Sequence, residues 1–146
     1  MKEMELHFEV SGSGEVPLIC THGWACNGDQ FIELSRLLTK DLRVFRLDLP
    51  GHGRTPLDGF LPGFESYSGL IADFALKHNL ERPVLLGHSM GGVLSLMAAA
   101  SARIQPRAVV NLDGFLPPTG ETLAGQQLIR SWLDEPDFRG RLARLL

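Results

Sequence analysis

Gly87-His88-Ser89-Met90-Gly91-Gly92 carries the strongest fold signal in the sequence. The apolar run Pro83-Val84-Leu85-Leu86 leads into it as a strand, and Val93 to Ala100 leads out of it as a helix. Strand, sharp turn and helix put Ser89 at the apex, with its hydroxyl pointing away from the sheet. The residues two before and two after the serine come so close that a Cβ would clash, which explains Gly87 and Gly91. The helix that starts here aims its first N–H groups at the same point, where they favour negative charge.

Outward from that turn, strands and helices alternate. Met4 to Val10 alternates apolar with polar, as a half-buried strand does. Ser11-Gly12-Ser13-Gly14 is a turn, and Val16 to Thr21 reads as a strand buried on both faces. Asn27 offers a helix cap, and Phe31, Leu34, Leu37 and Leu38 follow at helical spacing. Leu42 to Leu47 is a third strand. Tyr67 to Leu80 reads as a helix, with Leu70, Ile71, Phe74 and Ala75 inward, and Arg107 to Leu112 as a fifth strand. Thr122 to Leu133 and Asp137 to Leu146 read as amphipathic helices. The pattern predicts an α/β fold, a mostly parallel sheet with helices on both faces. In such sheets ligands bind at the carboxyl ends of the strands. Residues 1–118 are expected to form the core and 119–146 to begin a helical cap.

With 146 residues the chain can build one domain with a sizeable core. A net charge of −3 without a Lys/Arg block argues against nucleic acid or an anionic membrane as partner. The charged start Met1-Lys2-Glu3-Met4-Glu5 does not read as a signal peptide, and no apolar run is long enough to span a bilayer. The two cysteines, Cys20 and Cys26, have no metal-ligand spacing. A cytoplasmic protein without metal or cofactor is expected, with Cys20 a small buried residue at a strand end.

Three strand ends carry unusual loops: His22-Gly23-Trp24, Asp48-Leu49-Pro50-Gly51-His52-Gly53, and the serine turn. Together they resemble the α/β-hydrolase fold family, over residues 4 to about 114. The resemblance implies that the turn is a nucleophile elbow with Ser89 as nucleophile. It also implies an oxyanion hole made by the backbone N–H groups of Met90 and Trp24, each donor worth ~3 kcal/mol at the transition state. Acyl transfer on a small-molecule ester would follow: attack, loss of the alcohol, release of the acid by water.

The pattern also breaks. In this family an acid and then a histidine base follow the serine, yet His7, His22, His52, His78 and His88 all precede it. His78 falls at the far end of the sheet, His7 is expected to face solvent, and His88 points away from the serine in the family. His22 and His52 lie at the correct edge, where the resemblance gives them loop-holding roles. Asp113, at the end of the fifth strand, is a candidate acid or a loop cap, and Asp48 an acid or, more simply, a turn residue. Phe115, Leu116, Trp132 and Phe138 could line an acyl pocket or simply pack. An unpaired fifth strand suggests one part of something larger: a truncated product, a fragment, a split enzyme, or a chain completed by a second chain or by another copy of itself. Two functions stay open: a serine hydrolase without its base-bearing part, or a non-catalytic binding or assembly protein that keeps half of the fold.

Overall fold

The computed structural model describes residues 4–114. Five strands form one sheet: β1 (Phe8–Ser11), β2 (Val16–Thr21), β3 (Leu42–Leu47), β4 (Val84–His88) and β5 (Ala108–Leu112). Their order is β1-β3-β2-β4-β5, with β1 antiparallel to β3 and every other pair parallel. Three helices connect them: α1 (Ile32–Leu38), α2 (Phe64–Lys77) and α3 (Met90–Ala100).

The position of each helix follows from handedness. From β2 the chain steps one way to β3, then back across β2 to β4 and on to β5. Parallel crossovers are right-handed, so α1 must cover one face while α2 and α3 cover the other. The strands show the split residue by residue, since successive side chains point to opposite faces. Leu18, Cys20, Val44 and Leu86 gather with Phe31 on the α1 side. Ile19, Phe45, Leu47 and Leu85 gather with Ile71, Phe74 and Leu94 on the α2/α3 side. Cys20 is fully buried, and burial pushes its thiol up to about 12 against the opposing charge of Arg46. The winding reverses between β2 and β4, which opens the crevice at their carboxyl ends.

β2 and β3 lie where the sequence places them. Other elements shift for local reasons. The first strand runs over Phe8–Ser11 rather than from Met4, although Leu6 is buried. The helix after Asn27 begins as a 3₁₀ turn, Gly28–Phe31, and only then becomes α1. Its inner face is Phe31, Leu34 and Leu38, while Leu37 is 80% exposed. α2 starts at Phe64, three residues earlier than the periodicity indicates, behind an extended Gly63. It stops before Leu80 because Asn79 turns left-handed, at φ 51°. Leu80 N–H then donates to the Ala75 carbonyl and Asn79 N–H to that of Leu76. That is a Schellman termination, with Leu80 buried as its apolar partner. β4 runs two residues further than the apolar run, since Gly87 and His88 pair with Asn111 and Leu112. No helix among the described residues is long and apolar enough to cross a membrane. The expected helices at 122–133 and 137–146 lie outside the described residues.

Candidate active site

β4 ends at His88 and α3 starts at Met90, so a single residue makes the whole reversal. Ser89 does so at φ 51°, ψ −117°, a left-handed conformation that non-glycine residues seldom adopt. Its N–H donates to the Leu112 carbonyl (2.8 Å), tying the turn to β5. Its carbonyl accepts from Gly92 N–H (3.0 Å) and Val93 N–H (3.3 Å), which caps α3. A Cβ on Gly87 would overlap the Gly91 carbonyl, as the spacing argument requires. A Cβ on Gly91 would instead meet the Thr21 and His22 carbonyls, so this second glycine is what lets α3 lie on the end of β2.

The end of β2 supplies the second wall. A Cβ on Gly23 would lie 3.4 Å from Ser89 Cβ, so the loop carrying Trp24 touches the turn at Ser89. Met90 is the first residue of α3, where an N–H has no helical partner. Among the described residues, neither the Trp24 nor the Met90 amide donates to a protein acceptor. The Trp24 indole is 68% exposed, edge-on to the His52 ring at 5.5 Å.

His22 holds this loop from inside. It is fully buried. Its Nε2 accepts from Leu49 N–H (3.0 Å), so its proton sits on Nδ1 and goes to the Gly23 carbonyl (2.8 Å). Burial lowers its pKa, with His52 adding to the effect; the Gly23 carbonyl and Asp48 oppose them. A neutral ring with both nitrogens engaged is a strut between the loops after β2 and β3. His52 has a similar part, with Nδ1 3.1 Å from the Pro50 carbonyl, which also accepts from Tyr67 Oη (2.9 Å).

Asp48 proves more than a turn residue. Its Oδ1 accepts from Gly28 N–H (2.7 Å) and its Oδ2 from Arg54 N–H (2.9 Å). Burial opposes its charge, but those two amides, together with His7 and His22, outweigh that and hold its carboxyl below the usual range. His7, expected to face solvent, instead turns Nδ1 to within 3.2 Å of Asp48 Oδ2. His78 caps the far end of α2 between the rings of Phe8 and Phe74.

Asp113 follows β5 at φ 56° with an exposed side chain that bonds to no other described residue. It stands one residue beyond the carbonyl that holds Ser89 N–H, so Ser89, Met90, Trp24 and Asp113 share one edge of the sheet. Two residues escaped the sequence reading. Asn111 closes the turn around Asp113, accepting from Gly114 N–H (2.9 Å) and donating to its carbonyl (3.0 Å). Gln30 bridges Gly23 and His88. Neither belongs to a motif; only the fold brings Gln30 to its partners, while Asn111 bonds three residues along its own chain. Among the described residues no cluster of three or more His, Cys, Asp or Glu could hold a metal ion.

A mostly parallel sheet with a strained serine between strand and helix at its switch point defines an α/β-hydrolase architecture, and the sequence profile of the Alpha/beta hydrolase family matches residues 18–146. The chain belongs to that family. Among its relatives, a probable serine hydrolase of Drosophila melanogaster is 36% identical over 116 residues, 76% of this chain and 33% of that protein. A serine hydrolase-like protein of Danio rerio is 37% identical over 118 residues, 77% of this chain and 36% of that protein. Among solved structures, a marine microorganism esterase superposes with a TM-score of 0.71 at 27% identity, covering 92% of this chain and 52% of that one. The chain thus spans about a third of the length of the two relatives and about half of the esterase.

Proposed function

We propose that this chain carries the nucleophile and oxyanion hole of a serine hydrolase that cleaves small carboxylic esters through an acyl-enzyme. Ser89 is the attacking group. The amides of Trp24 and Met90 receive the oxyanion, and Asp113 orients the base. The single observation that carries the reading is Ser89 held left-handed between β4 and α3 against glycines that admit no Cβ. Strain at such a turn persists where the surroundings impose it, and it exposes the hydroxyl.

The base is a histidine beyond this sequence, in a longer form of the chain or on a second chain. All five histidines in the sequence precede Ser89. His22 has both nitrogens engaged, His52 turns Nδ1 to the Pro50 carbonyl, His88 meets Gln30, His7 meets Asp48, and His78 stands at the opposite end of α2.

The test is phosphonylation of the purified chain by an activated fluorophosphonate, read by peptide mass spectrometry. An oxyanion hole without a complete triad still retains ~10³–10⁴-fold catalysis over water. Labelling should therefore be slow, confined to Ser89, accelerated by added imidazole, and absent in Ser89→Ala. Labelling spread over several serines, or none at all, would sink the proposal. It would favour the non-catalytic reading, which draws on Val110 (38% exposed) and Leu112 (41% exposed) on β5 as an assembly edge.

A further inference from the structure

We propose that Gln30 is a positioning residue that fixes the spacing of the two oxyanion donors by clamping the loop after β2 to the elbow. The inference rests on the function proposed above.

The geometry is that of a two-ended bridge. Gly23 N–H donates to Gln30 Oε1 at 3.1 Å. That contact settles which way the amide faces, so the Gln30 NH₂ is the end that meets His88 Nδ1 at 2.6 Å. Gln30 thus accepts from the residue before Trp24 and donates to the residue before Ser89. The two amides proposed as the hole belong to Trp24, next along from one anchor, and to Met90, two residues on from the other. No other described side chain bonds to both segments.

Gln30 is itself held in place from behind. Its N–H donates to the Asn27 carbonyl (3.1 Å) within the 3₁₀ turn, and that turn is pinned where Gly28 N–H meets Asp48 (2.7 Å). The segments also touch directly, since a Cβ on Gly23 would stand 2.9 Å from His88 Nδ1. Steric contact alone sets a minimum approach, whereas the amide also prevents separation. That matters because hydrogen-bond donors act at the transition state only when placed in advance, and small displacements are costly.

The bridge has a cost that a surface residue would not ordinarily carry. Gln30 is solvent-exposed, and ordering a free glutamine side chain costs up to ~2 kcal/mol of rotamer entropy. Two hydrogen bonds to separate loops offset that cost only if the loops are already close, which is what the shared edge of β2 and β4 provides.

The experiment compares Ser89 phosphonylation rates of wild type, Gln30→Leu and Gln30→Glu, with ¹⁵N NMR of the His88 ring. The exposed position makes a folding defect in Gln30→Leu easy to exclude by its melting temperature. Gln30→Leu should slow labelling about ten- to a hundredfold and shift the His88 Nδ1 resonance away from its accepting position. Gln30→Glu should restore most of the rate, since its carboxylate accepts from Gly23 N–H and, at its other oxygen, from a His88 Nδ1–H. Equal rates for wild type and Gln30→Leu would overturn the inference alone. So would a slow Gln30→Leu that Gln30→Glu fails to restore. A wild type that does not label removes the proposed function, and this inference with it.

Discussion

Replacing Asp48 by asparagine should weaken the whole edge that carries the site, and the structure gives the size of the effect. The side chain is 8% exposed and its two oxygens each take a backbone N–H, at 2.7 and 2.9 Å. Asparagine keeps one acceptor. Its NH₂ must then face either Gly28 N–H or Arg54 N–H, donor against donor. Losing one charge-assisted bond and leaving a sheltered N–H unpaired amounts to about 3 kcal/mol, a large share of the ~5–15 kcal/mol that a domain possesses. With a urea slope of ~2 kcal/mol/M the unfolding midpoint should fall by roughly 1.5 M at pH 7. The pH dependence supplies an independent check. The native carboxyl titrates below its ordinary range, so its contribution is complete above the unfolded value of ~3.9 and is lost as pH falls through the native one. The gap between wild type and Asp48→Asn should therefore persist from pH 8 to about 5 and close in stronger acid. A gap under 1 kcal/mol at pH 7, or one undiminished in the acid range, would show that the Asp48 carboxylate does not hold these loops.

Two further expectations follow from the same edge. His22 is buried neutral, with its native pKa below the ordinary value, so the unfolded chain takes up the proton first as pH falls through ~6.5. Wild-type stability should drop from pH 7.5 to 5.5, and His22→Gln should reduce that slope by up to ~1.4 kcal/mol per pH unit; equal slopes would contradict a neutral strut. Gly91→Ala drives a methyl into the Thr21 carbonyl and to within 2.6 Å of that of His22. A loss of about 1–3 kcal/mol is expected, with Ser89 labelling slowed even in folded protein; unchanged labelling would show that α3 need not lie so close to β2.

What the sequence makes legible here is whatever repeats or clashes locally. β2 and β3 announce themselves because a central parallel strand is apolar on both faces, as Ile19 and Cys20 are. Ser89 is legible because so tight a strand-to-helix turn needs glycine at fixed offsets. The start of α2 is not, since Gly63 and Phe64 lie outside its apolar stripe. Its end could have been read from Asn79, a residue that tolerates the left-handed turn. His7 deceives because alternation says which face a residue takes and nothing of what approaches that face; Asp48 arrives from a loop forty-one residues later in the chain. Gln30 is invisible for the same reason. Its partners, Gly23 and His88, meet only when β2 and β4 lie side by side. Asn111 bonds Gly114 only three residues on, a local turn that its neighbours do not advertise as a motif.

Ser89 N–H, held by the Leu112 carbonyl, makes β5 a latch. A serine at φ 51° stores on the order of 1–3 kcal/mol, and the Leu112 carbonyl is one of the restraints that hold it there. β5 pairs with β4 on one side, and among the described residues it has no partner on the other. Edge elements open at far lower free energy than a whole domain. Fraying of β5 is therefore expected to release the Ser89 turn while Ile19, Ile71 and Leu94 stay packed. Loss of the Ser89 geometry would then be a local event at the margin of the sheet, and a partner laid against the outer side of β5 should suppress it.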